Sequence, residues 1–525
     1  MSARSRNLGL GLGAALALAT AAHALPIPGH DGGFSVSGKP GPFVKQVANR
    51  KFGPPAAKTD GQGGALGLAS DAVNRGEFQA ARLRMPQTEA KIRELLDRTE
   101  ANWPYDKSQP IKVYVLGLDF YQAYALPDGS MMVAFGLLDE AKSDDEVAFV
   151  LSHELGHVRL GHFSKDDTLK KRAEMISRLG QAYQVASALR SGGGAAGAAN
   201  AAAEAAGREA DATGDLIHFI NNVMVEPAWS RSQEDEADAL GFDLAEAADF
   251  SAEAASARVF DTIQADEMKR KSLSDTLGDQ LKSQLSKVSP TAAASTMAGG
   301  MSSIRGSLLR GAGRLALGVA GSMEGGPKHR PPEARKAGIA NYSADAYPQG
   351  LPLRDEHRTW LNQVRASREY AEAQVVVPAV HEAMKLRAGG DYAGAQAQLN
   401  LAMKTSFRDA PLVLNEAARL KGDQGDVAGS AQLFQQAHRS PDQTIDGYLD
   451  HARMLFKTGH PDPAFDVISA GEERFEDEKP FLSLILALDR QAGRTDQVQA
   501  VLQRCRSTGD EALKKDCELA AGGKS

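Results

Sequence analysis

In 525 residues the sequence contains two cysteines, Cys505 and Cys517, too few for a disulfide-built scaffold or a cysteine-based metal cluster. The pair does permit one disulfide in a compartment that oxidises thiols, the reading favoured here over two free thiols. Aromatic residues are scarce, at 6%, while Ala and Gly abound, which favours helices and mobile connections. A basic excess is also missing. The 60 basic and 67 acidic residues leave a net charge of −7, which argues against a nucleic-acid binder. Beyond the start of the chain no stretch runs about 18 apolar residues without interruption, so no membrane-spanning segment is expected in the mature chain. The length allows roughly two to four domains with ample buried core.

What is present begins with a targeting pattern over residues 1–24. Arg4 and Arg6 form a positive start, Leu8 to Ala22 is almost wholly Leu, Ala and Gly, and Ala22-His23-Ala24 fits a small-residue cleavage site. The chain is therefore expected to be exported and cut after Ala24. Residues 25–71, with runs such as Lys39-Pro40-Gly41-Pro42-Phe43, read as an irregular leader that acts as a spacer.

From about Ala72 to Asn102 apolar residues recur at helical spacing, and Trp103-Pro104 ends the pattern. Ile111 to Leu116 reads as a strand, Pro127-Asp128-Gly129 as a turn, and Met131 to Phe135 as a second strand. Ser143-Asp144-Asp145-Glu146 then forms a capping box that opens a helix. That helix carries His153-Glu154-Leu155-Gly156-His157. Positions i and i+4 share a helix face, so both histidines present ring nitrogens to one cation. Glu154 stands about 100° round the helix, where its carboxylate can act on a water molecule. The chemistry indicated is zinc-assisted hydrolysis of an amide.

Hydrolytic zinc sites usually take three protein ligands. A third His ten residues after the first, with Gly at the seventh, would mark one subclass; Phe163 and Leu160 stand there instead. His162 is out of register and reads as a helix-end or surface residue. The third ligand is then expected to be a carboxylate on another helix. Glu234 and Asp238 lie four apart in Ser230 to Gly241, one to bind the metal and one to orient a ligand histidine. By composition alone the same run also reads as a solvated acidic face.

Two Gly-rich stretches interrupt this region. Gly192 to Gly207 holds five Gly and nine Ala, and reads as either a loop or a weak helix. Gly299 to Gly326, with Arg305, Arg310 and Arg314 among leucines, reads as a domain helix with a basic edge rather than a membrane-surface helix. Further on the chain repeats. Gly390, Gly425, Gly459 and Gly493 recur at 35, 34 and 34 residues, with mostly small residues at fixed offsets around each. A period of about 34 with small residues where two helices approach is the tetratricopeptide pattern.

Four stretches resemble zinc metallopeptidases of the HtpX and CAAX-prenyl-protease type: Ala123 to Gly129, Phe135 to Leu138, His153 to His157, and Glu234-Asp235-Glu236-Ala237-Asp238. The likeness is greatest to their BepA-like periplasmic branch, in which a C-terminal tetratricopeptide domain follows the peptidase. Gln122-Ala123, where the family often has Asn-Ala, departs from the pattern, as does Arg330 after His329. The resemblance implies an α+β, mostly α architecture: a gluzincin-type domain with a small sheet over 72–345, a connecting helical segment over 346–377, and an α-solenoid of tetratricopeptide-like repeats over 378–525. It implies one zinc ion held by His153, His157 and Glu234, with Asp238 beside a ligand. Glu154 is the implied proton carrier, and His329, supported by Arg335, would either stabilise the oxyanion or cap the zinc in a resting state. The implied activity is a periplasmic endopeptidase in quality control or assembly of outer-membrane proteins, whose partners bind the repeats. The competing class is a chaperone or scaffold whose peptidase site stays closed. An extended substrate is expected to pair with the strand Met131 to Phe135.

Overall fold

The computed structural model describes residue 43, residues 82–164 apart from 106, 108–109 and 127–128, residues 229–287, and residues 330–521 apart from 477 and 510. The targeting segment, nearly all of the leader, both Gly-rich stretches 192–207 and 299–326, and His329 lie outside the described residues.

The helix expected from about residue 72 begins, within the described residues, only at Pro86. It is α1, Pro86–Glu100. Residues 82–85 are extended instead: the N–H of Leu83 donates to the carbonyl of Val115 at 2.9 Å, and Arg82 bridges Leu116. Proline explains the border, because its ring drives the residue before it out of the helical region, and Met85 has φ −123°.

Three strands follow: β1 Lys112–Leu116, β2 Ala123–Ala125 and β3 Ser130–Ala134. Their order is β1-β3-β2, with β1 parallel and β2 antiparallel to β3. The central β3 is buried along its whole length, which suits its nearly continuous apolar sequence. This position overturns the pairing expected at Met131 to Phe135. Both edges of β3 are taken by neighbouring strands, so no substrate backbone can pair there; Phe135 moreover starts the helix α2, Phe135–Glu140.

The motif helix α3, Asp144–Arg159, is buried at every position. Ser143 caps it, its hydroxyl accepting the N–H of Glu146 at 3.3 Å. The box closes differently from the pattern expected: the Glu146 carboxylate takes the N–H of Lys142 at 3.1 Å and Nε of Arg258 at 2.7 Å. The first-turn acids tie later segments to this helix. Asp144 accepts the N–H groups of Trp360 and Leu361, and Asp145 those of Ser251 and His357.

Against α3 lies α4, Arg231–Ala247, opened by a complete capping box between Ser230 and Gln233. A glycine on each helix allows close contact. A Cβ on Gly241 would fall 2.8 Å from the backbone nitrogen of His153, and one on Gly156 would fall 3.2 Å from Cα of Ala237. Any side chain at either place must push the two helices apart. The long α5, Ala252–Lys287, and α6, Pro332–Ala346, complete this half.

One residue of the leader is described, and it lies in the core. Phe43 is 3% exposed within the apolar core, and its N–H donates to the hydroxyl of Tyr342 on α6 at 2.6 Å. Tyr342 and Tyr347 in turn both donate to the buried Asp243 of α4 at 2.7 Å. Burial and that carboxylate push the Tyr342 phenol far above its ordinary range.

After the short α7, Thr359–Arg365, helices run in pairs: α8 Arg368–Ala388 with α9 Tyr392–Ala402, α10 Pro411–Asp423 with α11 Val427–His438, α12 Ile445–Lys457 with α13 Pro461–Phe475, and α14 Lys479–Gln491 with α15 Thr495–Ser507. The final helix α16, Glu511–Ala520, carries Cys517, which is disulfide-bonded to Cys505 of α15. The border expected at residue 378 falls inside α8, which runs unbroken through Pro378. Each periodic glycine sits in the turn of a pair with positive φ: 79° at Gly390, 84° at Gly425, 82° at Gly459 and 70° at Gly493. That conformation explains their strict recurrence. Ala383, Ala395, Ala418, Ser430, Ala452 and Ala464, at matching offsets, are fully buried between the paired helices.

The paired helices are fastened to the first half. The Arg365 guanidinium gathers the carbonyls of Leu138, Asp139 and Ala141 at the end of α2. His381 of α8 meets Asp119 at 2.8 Å, and Arg84 pairs with the buried Asp442.

Candidate metal centre

Helix α3 turns His153 and His157 to one side, with their Nε2 atoms 3.2 Å apart. Helix α4 brings Glu234 against them: its Oε2 is 3.8 Å from Nε2 of His153, and its Oε1 is 3.9 Å from Nε2 of His157. One donor atom from each of the three lies within 4.8 Å of the others. Tetrahedral zinc, with bonds of about 2.0–2.2 Å, separates its donors by about 3.3–3.6 Å. The triad fits that spacing with small adjustments. It is also shielded from water, the three residues being 7%, 0% and 2% exposed.

Charge points the same way. The Arg335 guanidinium lies 3.3 Å from Glu234 and 2.6 Å from Asp238, and Glu154 brings a third carboxylate to within 3.9 Å of His153. Carboxylate charge buried in this way is what a divalent cation neutralises.

Asp238, fully buried, holds His153 from behind with Oδ1 2.9 Å from its Nδ1. Arg335 reaches the same carboxylate through Nε at 2.9 Å and lays its guanidinium over the Phe260 ring, 4.8 Å from the centroid. Burial would raise the Asp238 pKa, but the charge of Arg335 and the bond to His153 hold it below the usual carboxylate range. Burial opposes a charged His153, yet the Asp238 bond outweighs it and raises that pKa. His157 lacks this compensation. Burial and the adjacent His153 push it well below the ordinary histidine value, which leaves the neutral ring that a metal requires.

The acidic run of α4 is therefore no solvated face. Asp235 is buried against Arg330 at 3.1 Å, and Glu236 meets Nε2 of His162 at 3.3 Å. His162, expected at a helix end or on the surface, is at a helix end but is 5% exposed, in a single 3₁₀ turn at His162–Ser164. It does not join the three-donor cluster. Trp229 stacks on His157 at 4.2 Å, with the rings 13° from parallel.

A cleft opens over this centre. Gln122, Ala123 and Tyr124 line it together with Phe149, Phe260 and Ile263, and His153, Glu154, Glu234 and Arg335 reach into it, while His157 lies buried behind them. Glu154 is fixed by the N–H of Ala125, which donates to its Oε2 at 2.8 Å. The register explains why that N–H is available. Ala134 donates to Gln122 and Leu126 to Ser130 across the β2–β3 pair, so Tyr124 also faces β3 and the polar groups of Ala123 and Ala125 point the other way.

Sequence reading singled out His153, Glu154 and His157 by their motif and Glu234, Asp238 and Arg335 through the resemblance, and the structure places these six side by side. It missed Trp229, the His162–Glu236 contact and the two interface glycines. No spacing rule links residues 74 apart in the chain.

Comparison with known proteins adds to this picture. Residues 83–296 match the model of peptidase family M48. The metalloprotease LoiP of Escherichia coli (strain K12) is 29% identical over 136 residues, which are 26% of this chain and 45% of that protein. The chain thus spans under half the length of this curated relative. The family model, the relative and the His153, His157 and Glu234 cluster together support a zinc metallopeptidase of the M48 kind.

Proposed function

We propose that the chain is a zinc endopeptidase of the cell envelope that acts on misassembled outer-membrane proteins, with its paired helices serving as a tetratricopeptide-like docking array. The observation that carries the reading is the buried His153–His157–Glu234 triad, two of whose members line a cleft with Glu154, beside a β2 edge that no other strand covers among the described residues. One zinc ion at the triad would polarise the scissile carbonyl and acidify the attacking water.

The chain's own residues do the rest. Ala123 offers its outward N–H and C=O to an extended peptide, which lays the substrate along β2 across the cleft. Glu154, held at that edge by Ala125, takes the proton of the attacking water and returns it to the leaving nitrogen. Asp238 keeps the His153 ring oriented, and Arg335 keeps Asp238 ionised. His329, one residue before the described Arg330, is assigned to the oxyanion with Arg335 on the resemblance alone.

Three features support the cellular setting. The start of the chain has the pattern of an export signal. The Cys505–Cys517 disulfide suits an oxidising compartment such as the periplasm. Among the described residues no helix is long and apolar enough to cross a membrane. The repeated hairpins offer the extended surface that helical arrays use for protein partners.

The test is removal and return of the metal. Chelator-treated protein should lose cleavage of an unfolded outer-membrane protein and regain it with stoichiometric zinc. Cleavage indifferent to chelation sinks the proposal.

A further inference from the structure

Asp238 bonds one motif histidine directly, at Nδ1 of His153. The other is held differently. Nδ1 of His157 lies 2.9 Å from Nδ1 of His162, and Nε2 of His162 lies 3.3 Å from Oε2 of Glu236. We propose that His162 and Glu236 form a relay that locks His157 in the tautomer a metal ligand needs, with His162 as a positioning residue. The inference rests on the metal-centre reading above.

The direction of the relay follows from what each group can do. An ionised carboxylate only accepts, so Nε2 of His162 carries the proton that faces Glu236. The neutral His162 ring then has a lone pair at Nδ1. It accepts the Nδ1–H of His157, and the lone pair of His157 is left on Nε2. That is the nitrogen facing Glu234 and His153. The reverse arrangement would put a proton on Nε2 of His157, between the other two donors, where it blocks a cation.

Helix geometry explains why a relay is needed. Glu234 and Asp238 are four residues apart on α4 and share the face that meets α3. Glu236, between them, points about 200° away from Glu234. It cannot reach His157 itself, and the His162 ring spans the gap. That ring is fixed in turn: its backbone carbonyl accepts Nε2 of Gln233 at 3.1 Å, and its side chain lies against Trp229, the ring stacked on His157. One helix therefore supplies a ligand and the anchors of both ligand histidines.

The test uses the full chain with His162→Leu, Glu236→Leu and His162→Gln. Zinc affinity is measured by competition with a chromogenic chelator, and the His157 tautomer by nitrogen NMR of histidine-labelled, metal-free protein. Both leucine variants should bind zinc about 10–100-fold more weakly. His162→Gln, whose amide can accept from His157 and donate to Glu236, should keep most of the affinity. Wild-type His157 should carry its proton at Nδ1, and His162→Leu should mix the tautomers. Unchanged zinc affinity in the leucine variants overturns the relay, and so does an equal loss in His162→Gln, which would mark simple packing. If wild type itself binds no zinc, the metal-centre reading fails, and the tautomer comparison still decides the relay. Should His162→Leu not fold, Glu236→Leu carries the same comparison.

Discussion

Glu154→Gln is expected to lower peptide cleavage by about 10²–10⁴-fold, the usual worth of a positioned general base, while zinc content and folding stay as in wild type. The substitution keeps shape and volume. The amide oxygen of the new side chain can still accept the Ala125 N–H that Glu154 Oε2 accepts at 2.8 Å, so the edge of β2 keeps its anchor. The three triad side chains are themselves unchanged, and Glu154 Oε1 stands 3.9 Å from Nε2 of His153, beyond hydrogen-bond distance. What the amide cannot do is take a proton from water. Steady-state cleavage of an unfolded envelope protein, with metal analysis of the same preparation, reads both quantities. Activity within a few fold of wild type would remove Glu154 from the mechanism and favour the scaffold class.

The second large effect is on stability. Asp238→Ala should destabilise the metal-free chain by about 3–5 kcal/mol, the range for removing one partner of a buried ion pair. Asp238 is fully buried and receives His153 and two nitrogens of Arg335. Its loss leaves the guanidinium, itself 13% exposed, against a weaker contact with Glu234 at 3.3 Å. Urea unfolding without metal isolates this term, since bound zinc would add its own stabilisation to the folded state. The mechanism can be separated from simple cavity formation by a cycle with Arg335→Met. If the ion pair is the cause, the double variant is less destabilised than the two single losses added together. Strict additivity would mean that Asp238 acts through packing alone.

The sequence and the structure agree most where one physical rule acts over a short span. His153 and His157 were legible because an i, i+4 pair shares a face whatever the helix meets. The periodic glycines were legible because each turn needs positive φ, as at Gly425 with 84°. Glu234 and Asp238 were legible only through a family pattern, since nothing local separates a buried acidic helix from a solvated one. The position of β3 was not legible at all. Its apolar run marks a buried strand but does not show which strands lie beside it, and β1 and β2 cover both its edges. Phe43 was lost for a related reason. A Pro- and Gly-rich segment shows no periodicity, although its one described residue is 3% exposed and bonded to Tyr342 across 299 positions. Gly156 and Gly241 look like ordinary helix-weakening residues until the α3–α4 contact shows what each makes room for.

The central claim is that His153, His157 and Glu234 hold one zinc ion. Its most direct test is the zinc content of the purified chain by mass spectrometry after dialysis against metal-free buffer, beside Glu234→Ala and His157→Ala. Wild type should retain one zinc per chain, and each variant should retain far less while staying folded by circular dichroism. Wild type without zinc, or variants that keep it in full, would contradict the account.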